Sequence, residues 1–180
     1  MIDLDIRPER SDDVSVVRTL VTAAFGPDKD TADFVEAVRA RAEVCLAEVA
    51  VAEGVIVGHA QWCAAPLIVD GTRVKAAYLS CLSVRPTLQK CGIGSRLVRD
   101  GLRRLTDSGH GAATLLGDPA YYGRFGFSSA LAERIAAPHR SRGQGFQAVE
   151  LIPGILNGAV IRGDFAAVIA PENPVRGADG

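Results

Sequence analysis

The chain has no surplus of charge of either sign. Its 20 lysines and arginines meet 21 aspartates and glutamates, for a formal net charge of −1 over 180 residues. With no concentrated basic block in either half, it lacks the footprint of a dedicated nucleic-acid or anionic-membrane surface. Long apolar runs are missing too. Val55-Ile56-Val57 and Pro66-Leu67-Ile68-Val69 fall far short of the roughly 20 residues a membrane span needs. The opening Met1-Ile2-Asp3-Leu4-Asp5 is acidic, where a secretory signal starts basic and turns apolar. The cysteines Cys45, Cys63, Cys81 and Cys91 form no C-x-x-C pair; the first three sit in apolar stretches, as small hydrophobes do. Dispersed His59, His110 and His139 supply no ligand set, so no metal is expected. These absences predict a cytoplasmic protein with reduced thiols and with neither a membrane nor a nucleic-acid partner.

What is present is core material. Hydrophobic residues make up 48% of the chain, enough for one domain, expected over residues 1–170, with a frayed tail over 171–180. Ile2 to Arg7 alternates as an edge strand. Ser11 then reads as a helix N-cap, with Asp12 and Asp13 suited to the dipole. Val14, Val17, Val21 and Ala24 follow at helical spacing until Gly26-Pro27. A second helix begins near Asp30 or Thr31 and carries Phe34, Val35, Val38 and Ala42. Leu46 to Ala52, Val55 to Leu67 and Arg73 to Val84 read as three antiparallel strands, separated by Glu53-Gly54 and Asp70-Gly71 turns. A helix over Gly92 to Ser108 follows, with an apolar stripe of Ile93, Leu97, Val98, Gly101, Leu102 and Leu105. Its polar side holds Arg96, Arg99, Arg103 and Arg104. A buried strand over Ala113 to Gly117, a short helix from Pro119 to Phe125, a loop at Gly143 to Gly145 and strands near Phe146 to Leu151 and Ala159 to Ile161 complete the order. The class is α+β around one sheet.

Leu82-Ser83-Val84-Arg85-Pro86-Thr87-Leu88-Gln89-Lys90-Cys91-Gly92-Ile93-Gly94 is the most informative stretch. A strand ends, Pro86 forbids its continuation, and a helix opens as the glycines arrive. The first amides of such a helix have no partner and carry its partial positive charge, which suits a phosphate. Glycine lets the backbone approach such a ligand closely. A P-loop needs G-x-x-x-x-G-K-[ST], and no such string occurs. A dinucleotide fingerprint needs a third glycine where Leu97 stands, within a parallel unit. From Gln89 to Gly94 alone, a plain tight turn is the readier account of the glycines.

These residues resemble the pyrophosphate loop Q/R-x-x-G-x-G/A of the GNAT superfamily of N-acetyltransferases, with Gln89, Gly92 and Gly94 in the defining places. Leu82-Ser83-Val84-Arg85-Pro86 resembles the L-x-V-x-P run that precedes it. Downstream, Tyr122 stands four residues before Gly126-Phe127, as the family's tyrosine does, and Gly117-Asp118-Pro119-Ala120-Tyr121-Tyr122 resembles a bacterial branch without assigned substrates. The resemblance covers Ile2 to Phe127. Two departures are Lys90-Cys91, where the family often has glycine and then a basic residue, and Asp118, in the region of a frequent asparagine.

The resemblance implies a GNAT-like acyl-CoA N-acyltransferase fold: a central, mostly antiparallel sheet, flanked by helices and splayed between its fourth and fifth strands. It implies acetyl-CoA as the acyl donor, held by Leu82, Ser83, Val84, Gln89, Lys90, Cys91, Gly92, Ile93, Gly94 and Ser95, with Phe125 packed beside it. It puts Tyr122 near the sulfur as general acid, Tyr121 being the weaker candidate; a phenol of pKa about 10 can donate to a thiolate whose acid lies near about 8.5. The acceptor is an amine of a small molecule or a protein, and a homodimer is compatible with the resemblance. A non-catalytic acyl-CoA sensor and a transferase for longer acyl groups are the alternatives. No base is visible: Ala76 to Val84 holds no carboxylate, and Glu48 is the nearest acid. His59 and Cys63, four apart on one strand face, superficially suggest a nucleophile pair but read as packed core. The helix arginines read as a solvated face that can also steer an anion.

Overall fold

The computed structural model describes residues 3–26, 30–41, 43–136, 145–163 and 165. The expectations for Ile2, Pro27, Ala42, His139, Gly143 and the tail over 171–180 lie outside them. Strand β1 (Asp5–Pro8) leads through a 3-10 turn into α1 (Val14–Phe25) and α2 (Asp30–Arg41). Strands β2 (Val44–Ala52), β3 (Val55–Ala64), β4 (Leu67–Val69), β5 (Thr72–Val74) and β6 (Ala76–Val84) follow. Then come α3 (Ile93–Asp107), β7 (Ala112–Leu116), the short helices α4 (Pro119–Tyr122) and α5 (Ser129–Glu133), β8 (Ile135–Ala136), β9 (Phe146–Glu150) and β10 (Ile161–Gly163). Among the described residues no helix is long and apolar enough to cross a membrane.

The main sheet has the order β1-β2-β3-β6-β7-β9. Every pairing is antiparallel except β6 with β7, which is parallel. That parallel ladder joins only Ala76 to Leu79 with Ala112 to Leu115, so the rest of β6, through Val84, leaves β7. The fourth and fifth strands in spatial order therefore splay, and the mostly antiparallel sheet matches the expected class.

Strand alternation assigns the two faces. Ala50, Ala60, Trp62, Ala77 and Leu79 point to one side, where α3 covers them with Ile93, Leu97, Val98 and Leu105. On the other side Val17, Leu20 and Val21 of α1 and Val35 of α2 cover Val49 and Cys81. Beside them a second sheet, β5-β4-β10-β8, buries Leu67, Ile135 and Ile161 against Tyr78, Phe146 and Ala148.

Four expectations need correction, and one is the strand over Arg73 to Val84, which divides into β5, paired with β4 in the second sheet, and β6. Ser11 caps no helix. The turn Ser11–Asp13 precedes α1, and the Asp13 carboxylate takes the capping bond, accepting the Arg10 N–H at 2.8 Å while Arg7 grips both its oxygens. A guanidinium fork on a carboxylate is stronger than a serine cap. The strand over Val55 to Leu67 divides, because Pro66 cannot donate to a ladder; β3 ends at Ala64 and Leu67 starts the second sheet. The strand expected at Ala159 to Ile161 falls at Ile161–Gly163, since the Ala159 and Val160 amides donate to Asp70 instead.

Candidate functional site

The splay opens beside the start of α3. Arg85 N–H donates to Val57 O at 2.9 Å, and bonded pairs alternate in an antiparallel ladder. The next bonded pair is then Ser83 with His59, which are register partners. The amides and carbonyls of Leu82 and Val84 therefore turn away from β3 and toward the gap that β7 has left. After β6, Pro86–Leu88 forms a 3-10 turn, and Gln89 folds back to donate to Val84 O at 3.3 Å. Lys90 and Gly92 both adopt the left-handed region, at φ 62° and 87°. The first bond of α3 is Arg96 N–H to Gly92 O, and no side chain caps the helix start. The amides of Ile93, Gly94 and Ser95 thus have no helical partner, which is the arrangement that receives an anion.

A cleft of about 460 Å³ lies over these groups, lined by Leu82, Val84, Leu88, Gln89, Lys90, Gly92, Ile93, Gly94, Ser95, Tyr121 and Arg124. Eight of the eleven residues expected to hold the donor line it. The other three do not: the Ser83 side chain is buried on the opposite sheet face, Cys91 is exposed on the loop, and Phe125 stands behind Tyr121. Arg124 and Leu88 are lining residues that the motifs did not single out, and Tyr121, the weaker candidate for the acid, lines the cleft with them. A Cβ on Gly94 would lie 2.7 Å from the Tyr121 hydroxyl, so that hydroxyl closes over the helix start. The Arg124 guanidinium stacks on the Tyr121 ring at 4.6 Å and donates to the Tyr121 carbonyl. Arg99 stacks on Phe125 at 5.2 Å. The repeated Tyr121-Tyr122 was the available signal, since consecutive residues of one helical turn point in different directions.

Tyr122 points inward. Its ring packs on Gly117, where a Cβ would collide with it, and meets Phe127 edge-on at 6.0 Å. Burial, and then Tyr121, push its phenol well above the ordinary value, so at neutral pH it is a proton donor and not a phenolate. Its ring packs against the core beneath α3, and Cys81 and Tyr78 of β6 lie within electrostatic reach of its phenol. Asp118, standing near the family's frequent asparagine, caps α4 by accepting the Ala120 N–H at 2.9 Å.

The remaining candidates have other partners. Glu48 faces α3, buried, with Arg104 Nε at 2.7 Å; burial and the neighbouring Asp100 push its carboxyl up to about 8. It is on the wrong face to serve the gap. His59 is fully buried and pairs through Nε2 with Glu9 at 3.0 Å, not with Cys63. The two do share a face of β3, but Gln61 stands between them on that face, bonded to Ser80, and Cys63 approaches Ser80 instead. Glu9 also receives two bonds from Arg39, which reaches on to Gln61. The helix arginines bind locally: Arg96 donates to Leu4 O, and Arg103 and Arg104 bind Asp100. His110 is buried at the end of α3, bonded to Ser108.

Known proteins place this geometry in context. The acetyltransferase (GNAT) domain family matches residues 5–130. The uncharacterized N-acetyltransferase YhbS of Escherichia coli K12 is 31% identical over 106 residues, 59% of this chain and 62% of YhbS. YjhQ, another uncharacterized N-acetyltransferase of that strain, is 34% identical over 118 residues, 64% of each chain. The match thus spans less than two thirds of these curated relatives. Among solved structures, a GNAT family acetyltransferase from Brucella melitensis in complex with acetyl-CoA superposes with TM-score 0.67 at 31% identity, covering 85% of this chain and 91% of that one. E. coli YhbS in complex with CoA gives TM-score 0.77 at 25% identity, covering 92% of both.

Proposed function

This chain belongs to the GNAT acetyltransferase family, and from that premise we propose that it transfers the acetyl group of acetyl-CoA to a primary amine, with residues 1–170 as the acetyltransferase domain. The observation that carries the reading is the cleft in which the edge of β6 that β7 has left meets the three amides opening α3, which have no partner among the described residues. A pyrophosphate needs several N–H donors converging at a point the backbone can approach. A pantetheine arm needs an extended strand edge to bond as another strand would. Both features meet at Val84 to Gly92. The relatives crystallised with acetyl-CoA and CoA support the same donor here.

In this reading Ile93, Gly94 and Ser95 hold the pyrophosphate through their amides, and Lys90 and Arg124 balance its charge at the rim. Leu82 and Val84 align the arm, and an amide at that edge polarises the thioester carbonyl as charge develops on oxygen. The amine nitrogen attacks the carbonyl carbon, the carbon–sulfur bond breaks, and sulfur takes the Tyr122 proton. The phenol is uncharged at neutral pH and so carries the proton to be given.

The test is a thiol-release assay with acetyl-, propionyl- and succinyl-CoA across a chemically diverse amine library. Release of CoA with at least one amine, fastest from the acetyl donor, is expected. Tyr122→Phe should lower the maximal rate by at least about tenfold, with acetyl-CoA affinity by calorimetry unchanged. Coenzyme binding without turnover on any amine would overturn the reading, and an unaltered Tyr122→Phe rate would remove Tyr122 from it.

A further inference from the structure

The sheet face opposite α3 carries a buried polar layer that the reaction above does not use. Its members come from four elements: Glu9 after β1, Arg39 on α2, His59 and Gln61 on β3, and Ser80 and Ser83 on β6. Most of its atoms are paired. Arg39 holds both oxygens of Glu9, at 2.7 and 3.0 Å, and Ser80 is bonded to both ends of Gln61. Two atoms are not: among the described residues, His59 Nδ1 and Ser83 Oγ are buried with no hydrogen-bond partner. They belong to residues that face each other across the β3–β6 ladder, where opposed side chains stand about 5 Å apart at Cβ. A layer that served only to anchor α2 would leave no such facing pair, since buried polar groups are normally satisfied.

The orientation of the imidazole is fixed from behind. A carboxylate only accepts, so in the neutral imidazole the nitrogen against Glu9, Nε2, carries the hydrogen and Nδ1 holds the lone pair. Ser83 lies on the splayed part of β6, between Leu82 and Val84, whose backbone groups border the gap. Cys81, two residues earlier on the same face, turns its thiol toward the Ser83 hydroxyl and lies within electrostatic reach of Tyr122, Arg39 and Glu9. Ser83 and Tyr122 thus border the gap from β6 and from α4, and each lies within reach of Cys81.

Resting on the acetyl-transfer reading, we propose that Ser83 and His59 form the proton exit for the acceptor amine, with Glu9 as the positioning residue. An alkylammonium gives one proton to Ser83 Oγ as Ser83 passes its own to His59 Nδ1. The neutral nitrogen then forms the bond to the thioester carbon. As the carbon–sulfur bond breaks, sulfur takes the Tyr122 proton. The second proton leaving nitrogen restores Tyr122, and the proton on His59 returns to solvent. The products are amide, thiol and one released proton. The need is real: an alkyl amine of pKa about 10.4 is neutral in only roughly one molecule per few thousand at pH 7. Around the imidazole the charged and titratable groups are Glu9, Arg39 and Cys81; α1 turns only Val17, Leu20 and Val21 toward this layer. Cys81 is pushed up to about 12 by burial and stays a thiol.

The test uses the full chain and an alkyl amine turned over in the thiol-release assay, with His59→Gln and Ser83→Ala. Glutamine keeps an N–H for Glu9 but cannot take a proton. Ser83→Ala removes one oxygen without touching the Glu9–Arg39 tie, and decides the matter if His59→Gln does not fold. At pH 7 kcat should fall by about a hundredfold for His59→Gln and at least about tenfold for Ser83→Ala, within the range of general base catalysis. The deficit should shrink by about tenfold per pH unit as free amine accumulates, with acetyl-CoA affinity unchanged. A deficit equal at every pH, or no deficit in either variant, overturns the relay alone. A wild-type chain that turns over no amine overturns the acetyl-transfer reading and the relay with it.

Discussion

At Lys90 an ordinary residue is held at φ 62°, a conformation that costs an L-residue about 1–2 kcal/mol relative to the right-handed region. Here the departure from the family's frequent glycine has a physical meaning: the loop requires the turn, and the lysine takes it, adding a charge at the cleft rim. Gly94 is constrained differently, since a Cβ there would press on the Tyr121 hydroxyl. Gly94→Ala is therefore expected to weaken acetyl-CoA affinity by about tenfold, or ~1.4 kcal/mol, as measured by calorimetry. Unfolding in urea should change little, because the displaced atom is the free end of a side chain. Of this cleft, the glycines, Gln89 and the β6 edge were legible in sequence, because each is dictated by local backbone geometry. Tyr121 and Arg124 were not, because their place depends on how a four-residue helix lands after β7. The free atoms of His59 and Ser83 were equally invisible, since strand register decides them.

The helix α3 shows what an element can demand of one residue. Gly101 faces the sheet at Trp62, and a Cβ there would lie 2.6 Å from the indole nitrogen and 3.0 Å from the ring carbon Cε2. Gly101→Ala brings up to about 1 kcal/mol of helix propensity against about 1–3 kcal/mol of overpacking. Because Trp62 is fully buried and cannot yield, the second effect should win. The expected result is a lower urea midpoint with an unchanged slope, and an equal or higher midpoint would show that the interface adapts. Elements of this length were legible from periodicity: α3, β2, β3, β6 and β9 lie within a few residues of their expected bounds. The second sheet was not. Its strands have two or three residues, and β10 pairs with β4 and β8 across long sequence separations, so no local pattern announces it.

For the whole molecule, pH is the lever that separates the buried charges. The Glu48 carboxyl is raised from 4.5 to about 8, by burial first and Asp100 second, while Asp100 is lowered from 3.8 to about 2. Asp13, held by Arg7, is also lowered to about 2. A raised acid binds its proton more tightly in the folded state, so its contribution is full below pH 4.5 and is lost as pH climbs through about 8. The lowered acids contribute above about pH 3.8 and lose that contribution toward pH 2. Stability should peak near pH 4 to 5 and decline on both sides. Glu48→Gln should flatten the upper limb only, as read from urea midpoints between pH 3 and 9. An unchanged upper limb would place the titrating group elsewhere.

The splay between β6 and β7 has a mechanical side. The main sheet is two plates, β1-β2-β3-β6 and β7-β9, hinged along the four residue pairs from Ala76 to Leu79. One jaw of the wedge carries the open strand edge and the start of α3; the other carries α4 with its two tyrosines. A molecule seated in the wedge touches both jaws and fixes their angle. On the proposed reading, the same wedge that grips the donor also sets the distance from Tyr122 to the β6 edge.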